Sequence, residues 1–134
     1  IFAAIDNPRA PQQYAVIQTA ATHQGEEFQL LIDCGSTHSF LSPRCLRKLR
    51  LNQYQIKPML VELANGKEVI SRHTMGTVDF ELGGKSTSAF FRTLPIGLYD
   101  GILGMDWLIA NHASIHCAQG SLSFCDKLGE ETLV

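Results

Sequence analysis

The chain of 134 residues is short of charge and has no long run of any one kind. Charged residues make up 18% of it, with 11 Lys and Arg against 13 Asp and Glu, a formal net charge of −2. That balance argues against a basic nucleic-acid binder and against an acidic, solvated tail. The densest basic cluster is Arg44, Arg47, Lys48 and Arg50. No aromatics interleave it, so it reads as the outer face of a short helix, and nucleic acid is not an expected partner of this domain. No apolar stretch approaches the roughly 20 residues that a membrane-spanning helix needs, so no membrane partner is expected. Ile1–Ile5 is apolar, but it is short and has no basic segment before it, so a secretory signal pattern is missing. The first residue is not Met, which fits a fragment released from a longer polypeptide. The four cysteines, Cys34, Cys45, Cys117 and Cys125, form no CxxC pair and no dense framework. Free thiols in a reducing, intracellular compartment are the simpler reading. No internal repeat or low-complexity segment is present.

Apolar residues reach 45%, enough for one globular domain, although a dimer interface would help a domain of this size. Residues 1–13, with Pro8 and Pro11 among polar residues, read as an arm or linker, 14–126 as the folded unit and 127–134 as a tail. Tyr14–Thr22 and Glu27–Asp33 are strand-like and turn at Gly25. Phe28, Leu30, Leu31 and Ile32 are nearly continuous, as in a strand buried on both faces. Ser42-Pro43 is a helix start, with Ser at the N-cap and Pro at the first helical position. The helix runs to about Leu51, placing Cys45 or Leu46, and Leu49, inward. Met59–Ala64 and Lys67–Ile70 flank Asn65-Gly66, a hairpin signal that points to a type I′ turn. Thr77–Leu82 and Ser86–Leu94 flank Gly83-Gly84. Gly101–Leu103 is a short apolar strand, Asp106–Asn111 a helical turn, and Ala113–Cys117 pairs with Ser121–Cys125 around Gln119-Gly120. Many short strands with frequent glycine turns predict an all-β barrel or sandwich with one or two short helices.

The string that carries chemistry is Leu30-Leu31-Ile32-Asp33-Cys34-Gly35-Ser36-Thr37. It places a carboxylate directly after a buried strand, where an unpaired charge is costly. Gly35 permits a sharp turn and a close backbone approach. Ser36 and Thr37 offer hydroxyls to that turn or to a bound peptide. Asp-x-Gly occurs once in the chain, at Asp33.

The run from Asp33 to Phe40 resembles the active-site loop of retropepsin-like aspartic proteases, especially those of Ty3/gypsy-type retrotransposon polyproteins. Ile102-Leu103-Gly104, followed by Met105-Asp106-Trp107-Leu108, is similar to that family's second signature. The resemblance implies a closed or partly open acid-protease barrel with one lobe per chain, in which Asp33 is the single catalytic carboxylate. It implies a homodimer that brings two Asp33 side chains together and acts on peptide or protein substrates such as a polyprotein. The cytoplasm or a virus-like particle would be its setting. Leu63, Ala64, Asn65, Gly66 and Lys67 fall at the tip of a flap hairpin running from about Val61 to Val69. Ile102, Leu103 and Gly104 fall on a strand that steadies the loop. Two carboxylates so close cannot both ionise easily, so they share a proton at mildly acidic pH. The ionised member then activates a water and its partner donates toward the scissile carbonyl, with no metal or other cofactor. The departure is Cys34, where the family carries Ser or Thr whose hydroxyl bonds the partner loop; a thiol is a weaker donor. Two readings follow: a slow or conditionally active protease, and an inactive retropepsin-like dimerisation or binding module.

Other constellations are weaker. Cys34-Gly35-Ser36 echoes a cysteine-protease loop, but no helix starts there and His38 is too close in sequence to serve as its base. His112, His116, Cys117 and Cys125 have partly metal-like spacing, yet a strand over 113–118 would turn His116 and Cys117 to opposite faces. Trp107 reads as core packing with its indole N–H satisfied at an edge, and Asp106 as a helix N-terminal residue or an arginine partner.

Overall fold

The computed structural model describes residues 17–63, 65–95 and 99–125, and the backbone of 131–133. The elements are β1 (Gln18–His23), β2 (Glu26–Ile32), β3 (Ser39–Leu41), α1 (Pro43–Leu49), β4 (Tyr54–Glu62), β5 (Glu68–Leu82) and β6 (Lys85–Thr93), followed by β7 (Gly101–Leu103), α2 (Met105–Ala110), β8 (Ser114–His116), β9 (Ser121–Cys125) and β10 (Glu131–Leu133). The expected all-β fold is a closed six-stranded barrel in the order β1-β2-β7-β3-β6-β5, sealed where Ala21 and Thr22 of β1 pair with Leu82 and Glu81 of β5. Closure removes free edges that would otherwise template pairing with other chains. β4 extends the sheet beyond β5, and β8, β9 and β10 form a separate three-stranded sheet. Among the described residues no helix is long and apolar enough to cross a membrane.

The near-continuous apolar run of β2 is explained by its two neighbours and two cores. β1 pairs with it antiparallel and β7 parallel, so the strand is interior. Leu30 and Ile32 enter the main core with Phe28, Phe80, Phe91 and Trp107. Leu31 points the other way, into a smaller cluster with Phe40, Val61, Leu94 and Ile102. In the main core Phe28 meets Phe80 edge-on at 6.0 Å, an arrangement favoured by the ring quadrupoles. Trp107 packs on Phe124 at 5.2 Å and donates its indole N–H to Thr87 Oγ1 at 3.0 Å, as its placement in the sequence predicted.

Helix α1 begins as read. Ser42 Oγ accepts from the Cys45 backbone N–H at 3.1 Å, and Pro43 sits in the first turn. Arg50, at φ 58, ends the helix after about two turns, which bury Cys45, Leu46 and Leu49. Burial and the nearby Asp100 charge push the Cys45 thiol up to about 12, so it behaves as a packed apolar group. All four cysteines are free.

Several elements differ from expectation. β3 was not anticipated, being three residues long and opening on a polar serine. The pieces Lys67–Ile70 (from Glu68 on) and Thr77–Leu82 belong to one strand, β5, which bends at a register shift between Thr74 and Gly76. Gly76, at φ +73, takes the left-handed conformation there that disguised the strand as two. The Asn65-Gly66 turn is not a two-residue type I′ turn. Leu63 N–H donates to Lys67 O and Gly66 N–H to Leu63 O, so the closing pair is Leu63 with Lys67 and the loop is longer than two residues. Gly66, at φ +83, supplies the positive φ that closes such a hairpin. β8 covers only Ser114–His116, with Cys117 in the following turn. The helix face of Arg44 and Lys48 is more than a solvated surface, since both approach the buried Asp100, at 3.6 and 3.3 Å. The predicted arm of residues 1–13 lies outside the described residues, as does the 14–16 portion of the first predicted strand. In the segment read as a tail, β10 pairs with β9.

Candidate active site

Asp33 lies at the end of β2, where the chain leaves the barrel. Its backbone N–H still donates to Leu103 O of β7 at 3.0 Å, so the residue is anchored by the sheet although its side chain is beyond it. Asp33 Oδ1 accepts from Gly35 N–H at 2.8 Å, and Ser36 N–H donates to Asp33 O at 3.2 Å, closing a tight turn. Asp33 Oδ2 is buried and has no hydrogen-bond partner. Burial lifts the carboxyl above its ordinary value of 3.8, and the Gly35 N–H offsets only part of that. A half-buried acid with one oxygen fixed and one unsatisfied favours the protonated state or a proton-sharing partner.

The rest of the loop is fastened to β7 and α2. Ser36 is fully buried; its Oγ donates to His38 O at 2.7 Å and its carbonyl accepts from Met105 N–H at 2.7 Å. Thr37 is exposed, with Oγ1 2.8 Å from His38 Nδ1. The apolar row Leu31–Ile102–Phe40 crosses β2, β7 and β3, and Leu103 pairs with Ile32. Gly104 is where the loop and the strand meet most closely. A Cβ there would come within 2.7 Å of Ser36 O and nearer still to His38 O. The predicted loop residues Asp33 to Thr37 and the predicted strand Ile102–Gly104 are thus brought together.

Ser39 was missed as part of this arrangement. It is fully buried, donates to Asp106 Oδ1 at 2.7 Å and accepts from Gly104 N–H at 3.0 Å. The only sequence signal was a serine heading a buried Phe-Leu pair. Asp106 also accepts from Trp107 N–H at 2.8 Å, so it is a helix N-terminal residue held by a serine and not by an arginine. Asp100 was missed as well: it accepts from Gln29 N–H at 2.9 Å and ties α1 to the entry of β7.

The β4–β5 hairpin faces the same side of the sheet. Val61 is buried in the small cluster with Leu31, Phe40 and Ile102, and Met59, Leu63 and Val69 pack on it. The hairpin therefore packs on the Leu31 face of β2, the strand that leads into Asp33. Leu63, Asn65, Gly66 and Lys67 form its tip, with Lys67 N–H donating to Asn65 Oδ1 at 2.9 Å. Ala64 lies outside the described residues. Cys34 is exposed and lines an apolar hollow of about 320 Å³ with Met105, Leu108, Ile109 and Ile115. Among the described residues no three of His, Cys, Asp and Glu converge on a metal-sized site, His112, His116, Cys117 and Cys125 included.

Comparison with known proteins agrees with this geometry. The profile of the family described as retroviral aspartyl protease matches residues 3–130. Among solved structures, the chain is similar to the retroviral protease-like domain of Ddi1 from Leishmania major, with a TM-score of 0.61 at 14% identity, over 90% of this chain and 92% of that one. At that identity the likeness shows a shared retropepsin-like fold. No curated protein matches the sequence.

Proposed function

This chain belongs to the retroviral aspartyl protease family, and from that premise we propose that it is one half of an aspartic endopeptidase whose site forms when two copies bring their Asp33 carboxyls together. The observation that carries this reading is Asp33 Oδ2, buried and without a partner while Oδ1 is fixed by Gly35. An unsatisfied buried carboxylate oxygen costs about 1–3 kcal/mol or more. Asp33 of a second copy would satisfy it by sharing one proton between the two carboxyls. The described residues offer Asp33 no second carboxylate in an Asp-x-Gly loop, and the exposed Ile109 and apolar hollow beside Cys34 are a surface that a second copy would cover.

In this mechanism the ionised member of the pair takes a proton from a water lying between the carboxyls. The water attacks the scissile carbonyl while the other carboxyl donates to its oxygen. Neither a metal nor a covalent intermediate enters the scheme. The hairpin from Val61 to Val69 acts as the flap over the peptide, and Ile102–Gly104 hold the loop in place. Residues 14–126 form the protease unit. A polyprotein of a Ty3/gypsy-type element is the substrate class we favour. The four free thiols favour a reducing compartment, the cytoplasm or a virus-like particle.

A second reading is favoured by Cys34. With a thiol in place of the locking hydroxyl, the chain is a weakly active or inactive retropepsin-like dimerisation module. One experiment separates the two: a peptide-library cleavage assay across acidic pH, with pepstatin and with Asp33→Asn. Cleavage that both abolish supports the protease. A dimer that never cleaves, and whose Asp33→Asn form keeps its biological readout, supports the module.

A further inference from the structure

We propose that Arg92 is a positioning residue that sets the angle of the β4–β5 hairpin over Asp33; this rests on reading that hairpin as the flap. Arg92 lies on β6 and is buried, 8% exposed. Its Nη2 donates to Lys57 O at 2.6 Å and to Ser71 O at 3.1 Å, and its Nε donates to Ser71 Oγ at 3.3 Å. Among the described residues no carboxylate pairs with it, and desolvation pulls its pKa below the ordinary arginine value. A buried cation with only neutral acceptors is costly, and an apolar side chain would fill the same space without that cost. What the guanidinium supplies is reach, a planar fork that bonds several carbonyls at once.

The place it reaches is where the sheet ladder breaks. The β4–β5 register shifts between Gln55 and Met59, and Lys57 lies inside that irregularity. The β5–β6 register shifts between Thr74 and Gly76. Beyond both breaks the hairpin is a regular two-stranded ribbon from Met59–Ser71 to its tip; before them β5 belongs to the barrel. Thr74 Oγ1, donating to Phe91 O at 2.6 Å, and Thr93 Oγ1, donating to His73 O at 3.3 Å, fasten β5 to β6. Arg92 fastens β4 as well, bonding both strands of the ribbon from one side chain. Since Met59, Val61 and Val69 rest on the cluster around Leu31 and Ile102, a change of angle at this hinge moves the ribbon relative to Asp33.

Hydrogen exchange on Arg92→Met tests this without requiring turnover. Loss of charge-assisted bonds at the hinge should raise exchange in the 59–71 ribbon about tenfold or more. Protection of β2 and β7 should stay as in the unsubstituted chain. Arg92→Lys should restore part of the protection, because its ammonium reaches the same carbonyls. Where the chain cleaves peptides, Arg92→Met should raise KM more than it lowers kcat. Equal loss of protection in ribbon and barrel would make Arg92 a general brace and overturn the proposal, as would unchanged exchange in the ribbon. Ser71→Ala, a milder change at the same hinge, keeps the test available if Arg92→Met does not fold: ribbon-selective exchange supports the hinge, and uniform or unchanged exchange overturns it. Absence of cleavage by the unsubstituted chain would count against the protease reading and leave the exchange result standing.

Discussion

Replacing Gly104 by alanine is the sharpest perturbation the loop offers. The backbone there, at φ −100 and ψ −167, suits any residue, so strain is not the issue. The obstacle is space: a Cβ would lie 2.7 Å from Ser36 O and closer to His38 O. Ordinary carbon–oxygen contacts run at about 3.3–3.6 Å, so the Ser36 carbonyl must retreat by roughly 0.6 Å and that of His38 further. Both atoms are backbone, and neither can swing aside as a side-chain tip could. Overpacking of this kind costs about 1–3 kcal/mol. Moving Ser36 O also weakens its bond from Met105 N–H, adding about 0.5–1.5 kcal/mol. Together the loss is about 2–4 kcal/mol, or a fall in Tm of about 6–15 °C for a chain of this length. Urea and thermal melts measure it, with Gly84→Ala as the control. Gly84 has φ +79 and open space around it, so alanine there costs only the left-handed strain of about 1 kcal/mol. If Gly104→Ala melts within about 0.5 kcal/mol of the parent chain, the loop is not seated on Gly104 and the packing argument is wrong.

Ser39→Ala should cost about 1–3 kcal/mol in urea melts, because it strands the buried Gly104 N–H and frees Asp106; an unchanged melt would show that another group takes over both bonds. Stability should also depend on pH through Asp33. Burial raises its folded pKa above 3.8, so its contribution is complete below that value and is lost as pH rises through the raised value. Asp33→Asn, neutral at every pH, should therefore melt above the parent chain near about pH 7 and alongside it near about pH 3, when both are compared as monomers. An equal difference at both pH values would rule out the raised carboxyl. Cys34→Ser restores a hydroxyl on the loop and should lower the dimer Kd about 5- to 100-fold by sedimentation, as two symmetric hydrogen bonds allow. An unchanged Kd would mean that Cys34 does not face the partner loop.

Much of the site was legible because its signals are local. An apolar strand running into Asp33, a glycine two residues later, a Ser-Pro helix start and a turn at Asn65-Gly66 each follow from neighbours in sequence. What stayed hidden depends on distant partners. Ser39 is polar and unremarkable until β7 delivers Gly104 and Asp106 to its hydroxyl. Asp100 gains meaning only when Lys48, 52 residues away, and Gln29 converge on it. Arg92 is one cation among the residues of a predicted strand until β4 folds across it. The closed order of the strands was equally out of reach, because β7 inserts between β2 and β3 although both precede it by dozens of residues. The turn type was misjudged for a smaller reason: Asn-Gly satisfies the glycine position of a longer loop as well as that of a type I′ turn.

The central claim is that Asp33 works only as one of a pair, and the stoichiometry of a transition-state mimic tests it most directly. Calorimetric titration with pepstatin at mildly acidic pH should saturate at one inhibitor per two chains, with no heat from Asp33→Asn. Saturation at one inhibitor per chain, or equal binding by Asp33→Asn, would contradict a shared site built from two Asp33 carboxyls.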